Sequence, residues 1–270
     1  MSDSAVGLTT RELSTETFPD FERFFAQVHG CACTLYFFGR HLAVMSDTAK
    51  ERADALGAPD RSRKHFPRQE LRRIREAAAV KELVHKRQAR GILVYAGGEP
   101  VGWCHFGRVD ELPVQSKESN PNMVYARHDD SDWVINCFVT RMDYRNQGVA
   151  SHALKGAIAA IKNDGGGWIE VATMAFPHHD PMLARLRRTY RWRSPEVAEY
   201  VRNNWPTKEV PGIGTVQACP TSPRTMGHTG KMEMFEEVGF VVTQRDEERI
   251  PDAYHPGDFL VMRRHVGGTP

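Results

Sequence analysis

No run in this sequence approaches the ~18–20 consecutive apolar residues that a membrane span requires. The opening stretch, M-S-D-S-A-V-G-L-T-T-R, has neither a basic start nor an apolar segment, so no export signal is expected. Charge of one sign is missing too. The 36 basic residues face 34 acidic ones, so no bulk attraction to nucleic acid or membrane follows. Cysteine is scarce and odd in number, with 5 in all; without an export signal this argues for reduced thiols in a cytoplasm. Metal-type spacing is absent. Cys31-Ala32-Cys33 has no second pair, so buried thiols are expected and no metal. Neither G-x-x-x-x-G-K-[ST] nor G-x-G-x-x-G occurs, which removes the support for a nucleoside-triphosphate or dinucleotide site. No internal repeat is visible.

What is present centres on residues 132–173. Trp133 to Thr140 is an apolar run rich in β-branched and aromatic residues, the composition of a buried strand. The following stretch, 148–163, places Leu154, Ala157, Ile158 and Ile161 on one helical stripe. Gly165-Gly166-Gly167 ends that helix, and Trp168 to Thr173 opens a second strand.

The joint between strand and helix reads Arg145-Asn146-Gln147-Gly148-Val149-Ala150. A helix's first turn leaves N–H groups without partners and carries partial positive charge. Gly148 has no Cβ, Ala150 has little side chain, and Arg145 adds a full charge. The joint is therefore a candidate seat for a phosphate or pyrophosphate.

Arg145-x-x-Gly148-x-Ala150, directly after a hydrophobic strand, resembles the acetyl-CoA pyrophosphate loop of the GNAT acyltransferase superfamily. Met232 to Phe240, M-E-M-F-E-E-V-G-F, is similar to that superfamily's late helix and turn. The resemblance covers roughly residues 90–265. It implies a mixed α/β (α+β) fold with a mostly antiparallel central sheet flanked by helices, one domain over 1–270. It also implies acetyl-CoA as cosubstrate and a small-molecule amine as acceptor. Backbone groups of Phe138, Val139 and Thr140 would pair with pantetheine and the acetyl oxygen. Backbone groups of Gln147, Gly148, Val149, Ala150 and Ser151, beside Arg145 and Asn146, would hold the pyrophosphate.

Elsewhere, Leu8 to Leu13 reads as a strand. Glu16 to Val28 reads as a helix capped by Thr15 or Thr17, with Phe18, Phe21, Phe24, Phe25 and Val28 on its apolar face. Ser46 to Arg68 is a connection, and Gln69 to Gln88 a helix with a solvated basic face. Gly91–Ala96 and Val101–Arg108 form a glycine-turn hairpin, followed by a polar loop over 110–130. A late helix over 231–238 and strands over 240–244 and 259–265 close the fold. Residues 175–229 depart from the family's usual short connection. Leu183, Leu186, Tyr190, Trp192, Val197, Tyr200 and Trp205 make this an ordered helical insertion, one that covers the acceptor side or forms a homodimer contact.

Acyl transfer from a thioester to an amine needs a base for the amine and a proton for the thiolate. Many relatives supply the proton from a late-helix Tyr, but Phe235 stands at the matching position here. His228 is the nearest titratable candidate. For the base, Glu170 stands out as a carboxylate within an apolar strand, which needs either a partner or a task; an arginine of the insertion would serve as the partner. His178-His179-Asp180 reads as a polar surface loop in preference to a metal site, and Cys137 as a core thiol. Two rivals remain at this point: a non-catalytic acyl-CoA-binding module, which Phe235 favours, and a peptide or protein acetyltransferase.

Overall fold

A computed structural model describes residues 7–28, 37, 80–112, 128–190, 194–221, 228–245 and 257–267. The Cys31-x-Cys33 thiols, the 46–68 connection, most of the 69–88 helix and most of the 110–130 loop lie outside the described residues, although 80–85 is helical. The chain clusters into two compact units, Met1–Asn120 with Cys137–Ala160, and Pro121–Asn136 with Ile161–Pro270.

The first unit contains β1 (Leu8–Glu12), α1 (Phe18–Gln27), β2 (Gly91–Ala96) and β3 (Glu99–Arg108). It also holds the latter part of β4 (Trp133–Thr140) and most of α2 (Val149–Asn163). β1–β2 and β2–β3 are antiparallel, and the β2–β3 hairpin turns on Gly97-Gly98 alone. Its register shifts between Val94 and Tyr95, opposite Pro100, where a missing N–H is tolerated at a bulge. Phe18, Phe21, Phe24 and Phe25 of α1 are buried. Phe21 stands edge-on to Trp103 at 4.9 Å and Phe25 at 6.0 Å. Fully burying each such ring stabilises the fold by roughly 1.5–3 kcal/mol. Thr17 is the N-cap residue, but its side chain makes no capping bond. Its Oγ1 donates to the Glu12 carbonyl at 2.7 Å and accepts from the Ser14 N–H at 2.8 Å, tying β1 to α1.

The second unit contains the start of β4 and β5 (Gly166–Met174), with β10 (Val241–Arg245) and β11 (Phe259–Gly267). β4 and β5 run parallel, in register from Trp133↔Ile169 to Ile135↔Val171. β5–β11 and β10–β11 are antiparallel. Together the strands hydrogen-bond in the order β1-β2-β3-β4-β5-β11-β10, a mixed, mostly antiparallel sheet as expected. β5 starts two residues earlier than expected. Gly166 and Gly167 pair with β11 instead of stopping the chain, and Trp133 Nε1 donates to the Gly166 carbonyl at 2.9 Å. The late helix, α5 in chain order, is shorter than expected and spans Met232–Glu236.

The insertion is mixed where a helical one was expected. Helices α3 (Pro181–Thr189) and α4 (Pro195–Asn204) appear, but so do β6 (Pro177–His179), β7 (Thr207–Val210), β8 (Gly214–Gln217) and β9 (Cys219–Thr221). β6 pairs with β9 in parallel and β7 with β8 as a hairpin. These strands have three or four residues, too few for an alternation to stand out among prolines and glycines. Leu183, Val197, Val201, Trp205 and Ala218 form a core of their own here. His178 and His179 lie in β6 and not in a loop, and His178 packs edge-on to Trp205 at 4.6 Å.

Candidate active site

All ten residues expected to hold the cofactor fall in one contiguous segment of the first unit. Phe138 and Val139 are buried at the end of β4, and Thr140 is half-buried. Arg141 then turns the chain. Its N–H donates to the Val101 carbonyl at 3.0 Å, and its guanidinium grips Asp143 twice at 2.8 Å. The same guanidinium lies 4.5 Å from the Tyr144 ring centroid. The hydrogen bond with Asp143 raises the Arg141 pKa, and the Arg141 guanidinium holds the Asp143 carboxyl below its ordinary range. Met142–Tyr144 forms a single 3-10 turn. Gln147 folds back onto it, its Nε2 donating to the Asp143 carbonyl at 2.8 Å.

Two residues of the loop are left-handed, Asn146 at φ 60° and Gly148 at φ 79°. Gly148 is the position where glycine matters. A Cβ placed there would be strained by the backbone and would meet no atom of the described residues within 4 Å. Among the described residues nothing fills the space above Gly148, and α2 begins immediately after it. The first turn of α2 carries no acidic side chain to compete with an anion. Val149 anchors this helix start from below, and it is 2% exposed. A Cβ on Gly102 of β3 would lie 2.2 Å from Val149 Cγ1, so the glycine leaves the space that the valine fills. These features fit an anion held by backbone N–H groups. Sequence reasoning missed the Arg141–Asp143 clamp and the Gly102–Val149 contact. R-x-D directly after the strand was the available signal for the clamp.

The two expected catalytic residues lie in the second unit. Glu170 is 4% exposed. Its expected partner was an arginine of the insertion; the structure instead puts Arg263 of β11 directly across from it in register. The reason is the β5–β11 register, which the sequence does not state. Glu170 Oε2 accepts from the His128 N–H at 3.0 Å and the Ser131 hydroxyl at 2.9 Å. It lies 2.8 Å from His128 Nδ1 and 3.9 Å from Arg263 Nε. His128, Ser131 and Arg263 were not anticipated; a lone carboxylate in a buried strand was the signal that donors must exist. His228 is exposed in the turn before α5. That turn is tied further along β5, with Thr173 Oγ1 donating to the Gly230 carbonyl at 3.1 Å and a bridge joining Met174 to Lys231. Phe235 is fully buried and packs against Phe240 at 5.5 Å, so its role is core. Cys137 is buried and not disulfide-bonded, as expected of a core thiol. Among the described residues, no group of three or more metal-binding side chains occurs. No helix among them is long and apolar enough to cross a membrane.

Residues 55–179 match the sequence model of the acetyltransferase (GNAT) family. No curated protein matches the chain. Solved structures similar to it include a histone acetyltransferase HPA2 and related acetyltransferase from Corynebacterium glutamicum, at 15% identity and TM-score 0.41, with 97% of this chain and 98% of that one covered. A putative GNAT-family acetyltransferase from Desulfovibrio desulfuricans is 10% identical, with TM-score 0.38 and 97% and 100% covered. A GNAT-family acetyltransferase from Streptococcus pneumoniae is 11% identical, with TM-score 0.40 and 97% and 100% covered. At these values they are likenesses and carry no argument.

Proposed function

We propose that the chain is a member of the acetyltransferase (GNAT) family, whose model matches residues 55–179, and that it moves an acetyl group from acetyl-CoA to a primary amine of a small molecule by direct transfer. The observation that carries this reading is the loop at Gly148. Its positive φ, the open space above it and the helix start behind it suit a diphosphate. Backbone N–H groups of Gln147, Gly148, Val149, Ala150 and Ser151 hold the pyrophosphate, with Arg145 and Asn146 beside it. Backbone of Phe138, Val139 and Thr140 takes the pantetheine and polarises the acetyl carbonyl. The Arg141–Asp143 pair and the Gln147 bond keep the turn in shape before the cofactor arrives, which reduces the ordering cost of binding.

Glu170 belongs to the machinery that takes the amine proton. His228 is the proposed proton donor to the departing thiolate, since an imidazole exchanges protons near neutral pH. Phe235 cannot take that role, having no proton to give. A thiol of pKa ~8.5 is a tolerable leaving group, so the demand on His228 is modest.

Calorimetry of the full chain with coenzyme A tests the reading, and saturable uptake is expected. Gly148→Val should weaken uptake by roughly tenfold or more, because a side chain in the left-handed region costs ~1–2 kcal/mol and also obstructs the anion. Thiol release from acetyl-CoA should follow addition of small primary amines. Release only with peptides would move the acceptor to the peptide class. Absence of any coenzyme A uptake would overturn the reading.

A further inference from the structure

Arg141 touches three elements of the first unit at once. Its backbone N–H donates to the Val101 carbonyl of β3 at 3.0 Å. Its Nε and Nη2 donate to the two carboxylate oxygens of Asp143, in the 3-10 turn, at 2.8 Å each. Its Nη1 donates to Gln27 Oε1 at 3.3 Å. Gln27 is the last residue of α1 and lies 114 positions earlier in the chain. The planar fork of a guanidinium serves a carboxylate with one edge and has a donor left for a second acceptor; an ammonium has no such fork. The helix end also favours this neighbour. A helix C-terminus carries partial negative charge, and the last turn of α1 holds no basic residue of its own. Arg141 brings the positive charge from another element.

We infer that Arg141 is a positioning residue for the cofactor loop, and that through Gln27 it couples the end of α1 to that loop. The inference deepens the acetyl-CoA reading and rests on it. β3 pins the loop at both ends, Arg141 to the Val101 carbonyl and Val149 over Gly102. Between these pins Asn146 and Gly148 hold left-handed φ values, so the segment needs support from its own hydrogen bonds. Asp143 supplies it from two sides. Its carboxylate is gripped by Arg141, and its carbonyl accepts from Gln147 Nε2 at 2.8 Å. α1 is itself fixed to β3, with Phe21 and Phe25 edge-on to Trp103. The Gln27 bond therefore ties the arginine to a helix that is already placed, and limits its rotamers before any ligand arrives. The N–H groups over 147–151 then need less ordering when a diphosphate binds. Such coupling is reciprocal. A cofactor that stabilises the loop also stabilises the last turn of α1.

In this assignment Arg141 touches no reacting atom, so it acts on cofactor affinity and not on the chemical step. Its side chain is 22% exposed and that of Asp143 60%, which keeps the effect modest.

The test uses the full chain, with calorimetry for coenzyme A and kinetics in acetyl-CoA at saturating amine. Arg141→Met should raise the coenzyme A Kd about fivefold, the upper range for a partly exposed pair. The acetyl-CoA KM should rise with it, while kcat stays within about twofold. Arg141→Lys keeps the charge without the fork and should lose nearly as much affinity. Gln27→Leu should weaken coenzyme A binding by about two- to threefold, the lower range for one hydrogen bond. Backbone hydrogen exchange over 24–28 gives a readout that a merely structural role would not move. Coenzyme A should slow exchange there in the parent chain and not in Gln27→Leu. An unchanged Kd in Arg141→Met, or equal slowing in Gln27→Leu and the parent, would overturn the inference and leave acetyl transfer standing. A loss confined to kcat, with KM unchanged, overturns it as well. Absence of coenzyme A uptake by the parent chain overturns both readings. If Arg141→Met fails to melt cooperatively, Gln27→Leu, at an exposed position, decides by the same two measurements.

Discussion

At Gly102 one missing methyl decides how the loop before α2 is seated. The glycine lies in β3, where a side chain would ordinarily help the strand. Its absence leaves room for Val149, the first residue of α2. Gly102→Ala puts a Cβ 2.2 Å from Val149 Cγ1 and 3.3 Å from Val94 Cβ, so something must shift. Overpacking of this kind typically costs ~1–3 kcal/mol. A lowered Tm and weaker coenzyme A binding are therefore expected together. Val149→Ala in the same chain should relieve part of the loss, giving a non-additivity of about 1 kcal/mol in a double-mutant cycle of denaturant melts. Strict additivity would mean the contact does not matter. Glu170 is the opposite case, a residue that the sequence marked correctly as anomalous. Its partners were not legible, because they come from the turn ahead of β4 and from a strand more than ninety residues away.

At the level of elements, the insertion hangs on Asp180. It is the N-cap of α3, accepting from the Met182 N–H at 2.8 Å. Its other oxygen accepts from the Tyr200 hydroxyl at 2.7 Å and from Trp205 Nε1 at 3.1 Å, so one carboxylate joins α3 to α4. Burial pushes the Asp180 carboxyl up, but the hydrogen bonds from Tyr200, Met182 and Trp205 outweigh it and hold the group below its ordinary range. A depressed pKa means the stabilisation is complete above the unfolded value of ~3.9 and fades as pH falls through the lower folded value. Proteolysis within 181–204 should therefore quicken as pH drops below about 4. Asp180→Asn keeps the acceptor oxygen and should flatten that dependence; an unchanged profile would remove Asp180 as its source. The sequence named this residue, but as part of a polar loop. The capping signal in the sequence is the Asp180-Pro181 step, a carboxylate directly before a proline at the first helical position.

For the whole molecule, the two units carry separate tasks in the proposed reaction. The residues proposed to hold the cofactor, 138–140 and 145–151, belong to the first unit; the insertion, with a core of its own, belongs to the second. Removing 178–222 should abolish acceptor binding and spare coenzyme A binding, as read by calorimetry and by amine kinetics on the shortened chain. Unchanged amine kinetics would exclude the insertion from acceptor recognition.

The sequence by itself determined the local grammar: an apolar strand, a glycine at the joint, an amphipathic helix, a paired hairpin and a stripe of phenylalanines. Each is dictated by neighbours within a few residues, through side-chain period, φ preference and capping, so a single chain states it. Only the tertiary structure decided that Arg263 faces Glu170, that His128 turns its ring onto that carboxylate, and that Val149 fills the space over Gly102. Register across a sheet and packing between elements depend on residues far apart in the chain, and no local pattern encodes which of many compatible partners will meet.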